Sequence, residues 1–174
     1  LSDVPYTMNI YTLAEHREGE LKKISMELLA WARQIAKEND TIHAILLCQE
    51  SEWKKSCPLL CQHGADQVDY AASELLAQYQ AEFYSQALSL ILPHQDPFYL
   101  LIGGTTQGKE LAPYLAAKLK APLLSDCIQL TRTSDDCLEV VHPIYAGKVF
   151  ARFRSQGRVQ LVTLRPNLIA PLSL

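Results

Sequence analysis

Phe98–Asp126 reads FYLLIGGTTQGKELAPYLAAKLKAPLLSD. Five apolar residues, Phe98–Ile102, run straight into Gly103-Gly104-Thr105-Thr106-Gln107-Gly108. A helical pattern follows, with Leu111, Leu115 and Leu119 on one stripe and Ala112 and Ala116 beside it. Strand, glycine turn and helix in that order bring backbone N–H groups and the positive end of a helix to the strand's carboxyl edge. Such a corner suits an anion, typically a phosphate. Gly103, Gly104, Thr105, Gln107 and Gly108 are the candidate anion or nucleotide residues. The alternative is a tight turn whose glycines serve packing alone. A P-loop is a poor fit: its eighth position needs Ser or Thr for magnesium, and Glu110 stands there. Pro113 falls inside the helix that follows and is expected to kink or restart it.

Upstream, the grammar is strand–helix repeated. Met8–Ala14 reads as a strand, Glu15–Glu20 as a polar loop and Ser25 as an N-cap. Leu28, Trp31, Ala32, Ile35 and Ala36 form a helical stripe. Thr41–Cys48 is a nearly continuous apolar run, the mark of a strand covered on both faces. A short helix over Trp53–Gln62, a stop at Gly64-Ala65-Asp66, a strand near Gln67–Ala71 and an aromatic helix over Tyr79–Leu92 complete this part. The pattern predicts an α/β fold: a mostly parallel sheet with helices on both faces. After Pro122 it changes. Leu123–Leu130, Leu138–Tyr145, Lys148–Arg154 and Val159–Leu164 read as mostly antiparallel strands joined by short turns. A single α/β domain over residues 1–166 is expected, with 167–174 as an exit towards a linker.

Five cysteines, Cys48, Cys57, Cys61, Cys127 and Cys137, are an odd number and point to reduced thiols in a cytosol-like compartment. Cys57, Cys61 and His63 lack a second ligand pair, so no metal is expected. No apolar run reaches the roughly 20 residues of a membrane span. Net charge is −3, yet none of the 19 acidic residues lies in 140–174, which holds Lys148, Arg152, Arg154, Arg158 and Arg165. Arg152, Arg154 and Arg165 are candidates for the polar part of a docking surface. Nucleic acid is not an expected partner of this acidic chain, which shows no reading motif.

Four stretches together resemble the electron-transfer flavoprotein alpha subunit. Ala14-Glu15-His16-Arg17-x-Gly19-Glu20-Leu21 resembles its start, and Gly64-Ala65-Asp66-Gln67-Val68 its "GADKV" region. Gly103–Leu119 with Pro122–Cys127 resembles its strand–turn–helix and following Ser-Asp-Cys. Pro143–Lys148 and Thr163-Leu164-Arg165-Pro166 resemble its closing hairpin and "TxRP" exit, with Ala146 where the family more often has Gly. The resemblance implies the amino-terminal domain of that subunit, a three-layer fold like that of the adenine-nucleotide alpha-hydrolases. It implies a heterodimer in which the beta subunit holds AMP, serving acyl-CoA or other dehydrogenases in the cytoplasm. FAD would belong to a carboxyl-terminal domain whose Ser-Arg-Pro, Gln-Thr-Gly and Ile-Gln-His signatures do not occur in these residues. No cofactor and no catalysis are therefore expected within this stretch. The alternative is a stand-alone adenine-nucleotide-binding module using the Gly103–Gly108 turn.

Overall fold

The structure, a computed structural model, describes residues 7–172. The chain opens with strand β1 (Asn9–Ala14), a two-residue ribbon of β2 (His16–Arg17) and β3 (Glu20–Leu21), and helix α1 (Lys23–Ile35). Then come β4 (Thr41–Cys48), α2 (Trp53–Gln62), β5 (Gln67–Ala72), α3 (Ala81–Ile91), β6 (Phe98–Gly103) and α4 (Thr106–Leu119). The remainder is β7 (Leu123–Cys127), β8 (Gln129–Arg132), β9 (Leu138–Ile144), β10 (Val149–Arg154) and β11 (Val159–Leu164).

Six strands form one parallel sheet in the order β5-β4-β1-β6-β11-β7. The inner strands are buried because helices cover both faces, which is why β4 and β6 are apolar almost throughout. Ile24, Leu28 and Trp31 of α1 and Leu60 of α2 pack with Ile10, Leu46 and Leu101 on one face. Tyr84 and Leu88 of α3 and Leu111 and Leu115 of α4 pack with Leu13, Ile45 and Leu100 on the other. The chain winds outward from β1 to β5, then returns to lay β6 on the opposite side of β1. That reversal makes β1/β6 the switch point, where doubly wound sheets open a crevice at their carboxyl ends.

The second half departs from expectation in two strands, β7 and β11, which join the main sheet. β8, β9 and β10 form an antiparallel sheet in the order β10-β9-β8. Val159–Leu164 does not continue it; β11 enters the main sheet between β6 and β7, parallel to both. Only the interior of a parallel sheet offers cover for Leu161, Val162 and Leu164, all fully buried. Leu123–Leu130 likewise divides into β7 and β8, the break falling at Ile128, two residues after Asp126, whose φ is +56°. Pro113 leaves α4 unbroken. It lies on the exposed side of the helix, where the carbonyl it fails to bond faces water.

Ser25 lies inside α1 rather than at its cap, which is Lys22. Its hydroxyl instead closes a reciprocal pair, donating to Glu15 O and accepting from Glu15 N, both at 2.8 Å. The segment after β11 lacks regular structure yet is tied down. Asn167 N donates to Glu27 Oε2 at 2.9 Å, and Leu172 O accepts from His63 Nδ1 at 2.5 Å.

Candidate functional site

The carboxyl ends of β1 and β6 meet at Glu15 and Gly103-Gly104-Thr105. Glu15 is 1% exposed. Thr105 Oγ1 donates to its Oε1 at 2.6 Å, and Lys22 Nζ approaches its Oε2 at 3.1 Å. Thr105 Oγ1 also accepts from Gly108 N at 3.1 Å and so caps α4. Gly104 N donates to Leu164 O at 2.6 Å. The Thr105 hydroxyl and the Gly104 and Gly108 amides are thus committed within the fold.

The glycines are explained by contact distances. A Cβ on Gly103 would lie 2.8 Å from Glu15 Oε1, one on Gly104 3.0 Å from Leu164 O, and one on Gly108 1.8 Å from Gly103 O. Of the five sequence candidates, Gly103, Gly104 and Gly108 are buried, Thr105 is half-buried against Glu15, and Gln107 faces outward into a crevice. That crevice, about 500 Å³, is lined by His16, Lys22, Gln49, Glu52, Tyr79 and Gln107 among others. Tyr79, expected in α3, precedes it and donates its hydroxyl to Gln107 O at 3.3 Å.

Glu15 and His16 carry more of this corner than a polar loop suggests. The His16 side chain is 5% exposed; its Nε2 donates to Leu47 O at 2.6 Å, and its Nδ1 stands 3.6 Å from Glu52 Oε2. The available signal was position: Glu15 follows a buried strand at the same sheet edge as the glycine turn. Its partner Thr105 lies 90 residues away, and no local pattern links them.

The three candidate arginines do not act together. Arg165 grips Asp126 with two hydrogen bonds, Nε to Oδ1 at 2.7 Å and an Nη to Oδ2 at 2.6 Å. Arg152 and Arg154 lie on β10, where Arg154 pairs with Asp135 and Arg152 stands 4.0 Å from Glu139. The Arg165 hydrogen bonds hold the Asp126 carboxyl below its usual range, against the opposing pull of burial. Its folded pKa lies below the unfolded value of about 3.9, so the pair stabilises the fold above that pH. The contribution is lost as pH falls through the folded value. Arg165→Met is expected to flatten the acid limb of a stability–pH profile below about pH 4. An unchanged acid limb would contradict this assignment.

All five cysteines are free thiols. Burial pushes the Cys48 thiol up to about 11 and the Cys127 thiol up to about 12. Cys137 is buried, Cys57 half-buried and raised by burial, and Cys61 exposed. Because the thiolate is the reactive form, a disulfide reagent at neutral pH is expected to label Cys61 in a single fast phase. Cys61→Ser should remove that phase; rapid labelling of two or more thiols in the folded protein would contradict the burial pattern. Among the described residues no group of three His, Cys, Asp or Glu side chains gathers at metal-binding range. No helix among them is long and apolar enough to cross a membrane.

Fold and corner define a doubly wound α/β domain with a polar crevice at its switch point and a small antiparallel sheet appended at one flank. Over residues 10–174 the sequence matches the Electron transfer flavoprotein domain family, and the chain belongs to that family. It is similar to the electron transfer flavoprotein subunit alpha of Bacillus subtilis (strain 168), with 32% identity over 92% of this chain and 48% of the relative. The alpha subunit of Clostridium acetobutylicum is 34% identical over 94% of this chain and 49% of the relative. Protein FixB of Rhizobium meliloti (strain 1021) is 29% identical over 93% and 47%. The chain spans about half the length of these curated relatives, and the part matched is the alpha subunit's amino-terminal domain.

Proposed function

We propose that this domain is a docking scaffold of an electron-transfer flavoprotein: an electron-carrier part and not an enzyme, binding the beta subunit while FAD is held outside residues 1–174. The assembly would pass electrons from acyl-CoA or other dehydrogenases to an acceptor, and the free thiols fit a reducing, cytoplasmic setting. Residues 1–166 would be one α/β domain, with 167–174 leading out of it. Redox chemistry belongs to the flavin, so the protein's share here is position and charge.

One observation carries this reading. β10 and the turn before it expose Tyr145 (77%), Phe150 (61%) and Phe153 (48%) beside Arg152 and Arg154. Aromatic residues and arginine are what protein interfaces enrich, and exposed apolar patches of this kind mark contact surfaces. Arg165 serves the fold through Asp126, leaving Arg152 and Arg154 as the charged part of the docking face. The nucleotide alternative has less support, because a carboxylate, Glu15, stands at the glycine turn where phosphate charge would sit.

The test is co-expression with an electron-transfer flavoprotein beta subunit. A stable equimolar complex is expected, and Phe150→Asp should weaken it by about tenfold or more, as loss of an interface anchor does. Failure of the two chains to associate would overturn the reading.

A further inference from the structure

β10 is an end strand of its three-stranded sheet, so among the described residues one edge has no neighbour. The register on β9 shows which backbone groups that edge leaves open. Phe150 lies opposite Pro143, Ala151 opposite His142, Arg152 opposite Val141 and Phe153 opposite Val140. Pro143 has no N–H to exchange. Val141 O accepts from Ile128 N at 2.9 Å, so it points towards β8 and away from β10. Ser155 N donates to Leu138 O at 2.9 Å in the same register. Antiparallel pairs alternate between hydrogen-bonded and non-bonded. Ala151 and Phe153 therefore spend their backbone groups on β9, whereas Phe150, Arg152 and Arg154 direct N–H and C=O outward.

The side chains beside this edge narrow what can occupy it. On the inner face Phe153 forms the wall of an open groove of about 220 Å³ with Leu123, Leu124, Val140 and His142. On the outer face Phe150, Arg152 and Arg154 project together, since alternate strand residues share a side. Pairing of β10 with a second copy of itself would bring arginines against arginines. Like charges across a strand pair destabilise it, and charged edge residues suppress self-association. An acidic strand meets no such cost. Arg154 already pairs with Asp135, but the Arg152 side chain is 74% exposed with Glu139 4.0 Å away, so it stays open to a carboxylate from outside.

We propose that a strand of the beta subunit bearing acidic residues adds to the free edge of β10, extending the small sheet across the subunit boundary. It would seat an apolar side chain against Phe153 and set carboxylates against Arg152 and Arg154. The proposal rests on the docking reading above and specifies how docking is made. Main-chain hydrogen bonds would give affinity, and the groove and arginines would give choice of partner.

Two variants separate backbone from charge. Arg152→Pro removes an outward N–H without touching the β9 ladder, a substitution edge strands tolerate. Arg152→Ala removes the same charge and keeps the N–H. In the complex with the beta subunit, Arg152→Pro is expected to weaken association about tenfold more than Arg152→Ala, the worth of a ladder bond or two. Hydrogen exchange should show the amides of Phe150, Arg152 and Arg154 unprotected in the free chain and protected in the complex. A complex that forms with those amides still exchanging, or with both variants equal to wild type, overturns strand addition and leaves the docking reading intact. Protection appearing in the chain alone together with a homodimer would make the occupant a second copy, and overturns it too. No complex at all removes both.

Discussion

Gly108→Ala is expected to cost the domain at least about 3 kcal/mol, the upper part of what overpacking does. The added Cβ would come 1.8 Å from Gly103 O and 2.9 Å from Ile102 Cγ2. The first of these is backbone at the carboxyl end of the inner strand β6, so no side chain can turn away to relieve it. Either α4 slides off β6 or the strand distorts, and both disturb Leu111 and Leu115, which are fully buried on that face. Gly147→Ala is the control. Nothing lies within 4 Å of a Cβ there and only a φ of +84° opposes it, so a loss of about 1–2 kcal/mol is expected. Urea unfolding reads both as a lowered midpoint at unchanged m. A Gly108→Ala protein within about 1 kcal/mol of wild type would mean the turn is looser than its contacts require. An anion role for its glycines would then regain ground.

The second large effect is expected at Arg132, which joins the small sheet to the body of the domain. The Arg132 and Asp40 side chains are 3% and 2% exposed and paired with each other. Arg132 Nε donates to Asp136 Oδ1 at 2.8 Å, and its guanidinium lies 5.2 Å from the centre of the Tyr99 ring. Asp40 also accepts from Met8 N at 3.0 Å and Lys37 N at 2.8 Å, holding the start of β1 against the end of α1. Removing the cation leaves a carboxylate buried with two amides for company. Arg132→Met is therefore expected to lose about 3–5 kcal/mol. Adding Asp40→Asn to it should recover part of that loss, because the penalty lies in the orphaned charge rather than in the missing contact. Strict additivity of the two substitutions would contradict coupling across this pair.

What the sequence displayed of this architecture follows from where burial is complete. β4 and β6 are covered on both faces and are apolar almost throughout, so their residues announce them. Val159–Leu164 is as deeply buried, but Gln160 and Thr163 interrupt its run and a hairpin reading followed from the short turns around it. Those polar side chains are satisfied internally. Gln160 Oε1 accepts from Leu138 N at 2.9 Å and its Nε2 donates to Asp136 O at 3.0 Å, while Thr163 Oγ1 accepts from Asp126 N at 2.8 Å. A strand whose polar groups find partners far away in sequence carries no local mark of being central.

At the switch point, only the contiguous part is legible in the sequence. Strand, glycine turn and helix are contiguous, and their order fixes their geometry. The carboxylate that closes the corner comes from the end of another strand; Thr105 and Lys22 reach its oxygens while the Ser25 hydroxyl holds the Glu15 backbone. His16 escaped for a related reason: its acceptor, Leu47 O, lies on the neighbouring strand. Arg165 looked like a surface cation because Asp126, 39 residues earlier, is adjacent only in the fold.

On the proposed docking role, these residues hold no flavin. The purified chain, equilibrated with excess FAD and passed through gel filtration, tests it most directly. A colourless protein that retains no visible flavin absorbance is expected; an equimolar amount of FAD eluting with the chain would contradict the proposed role.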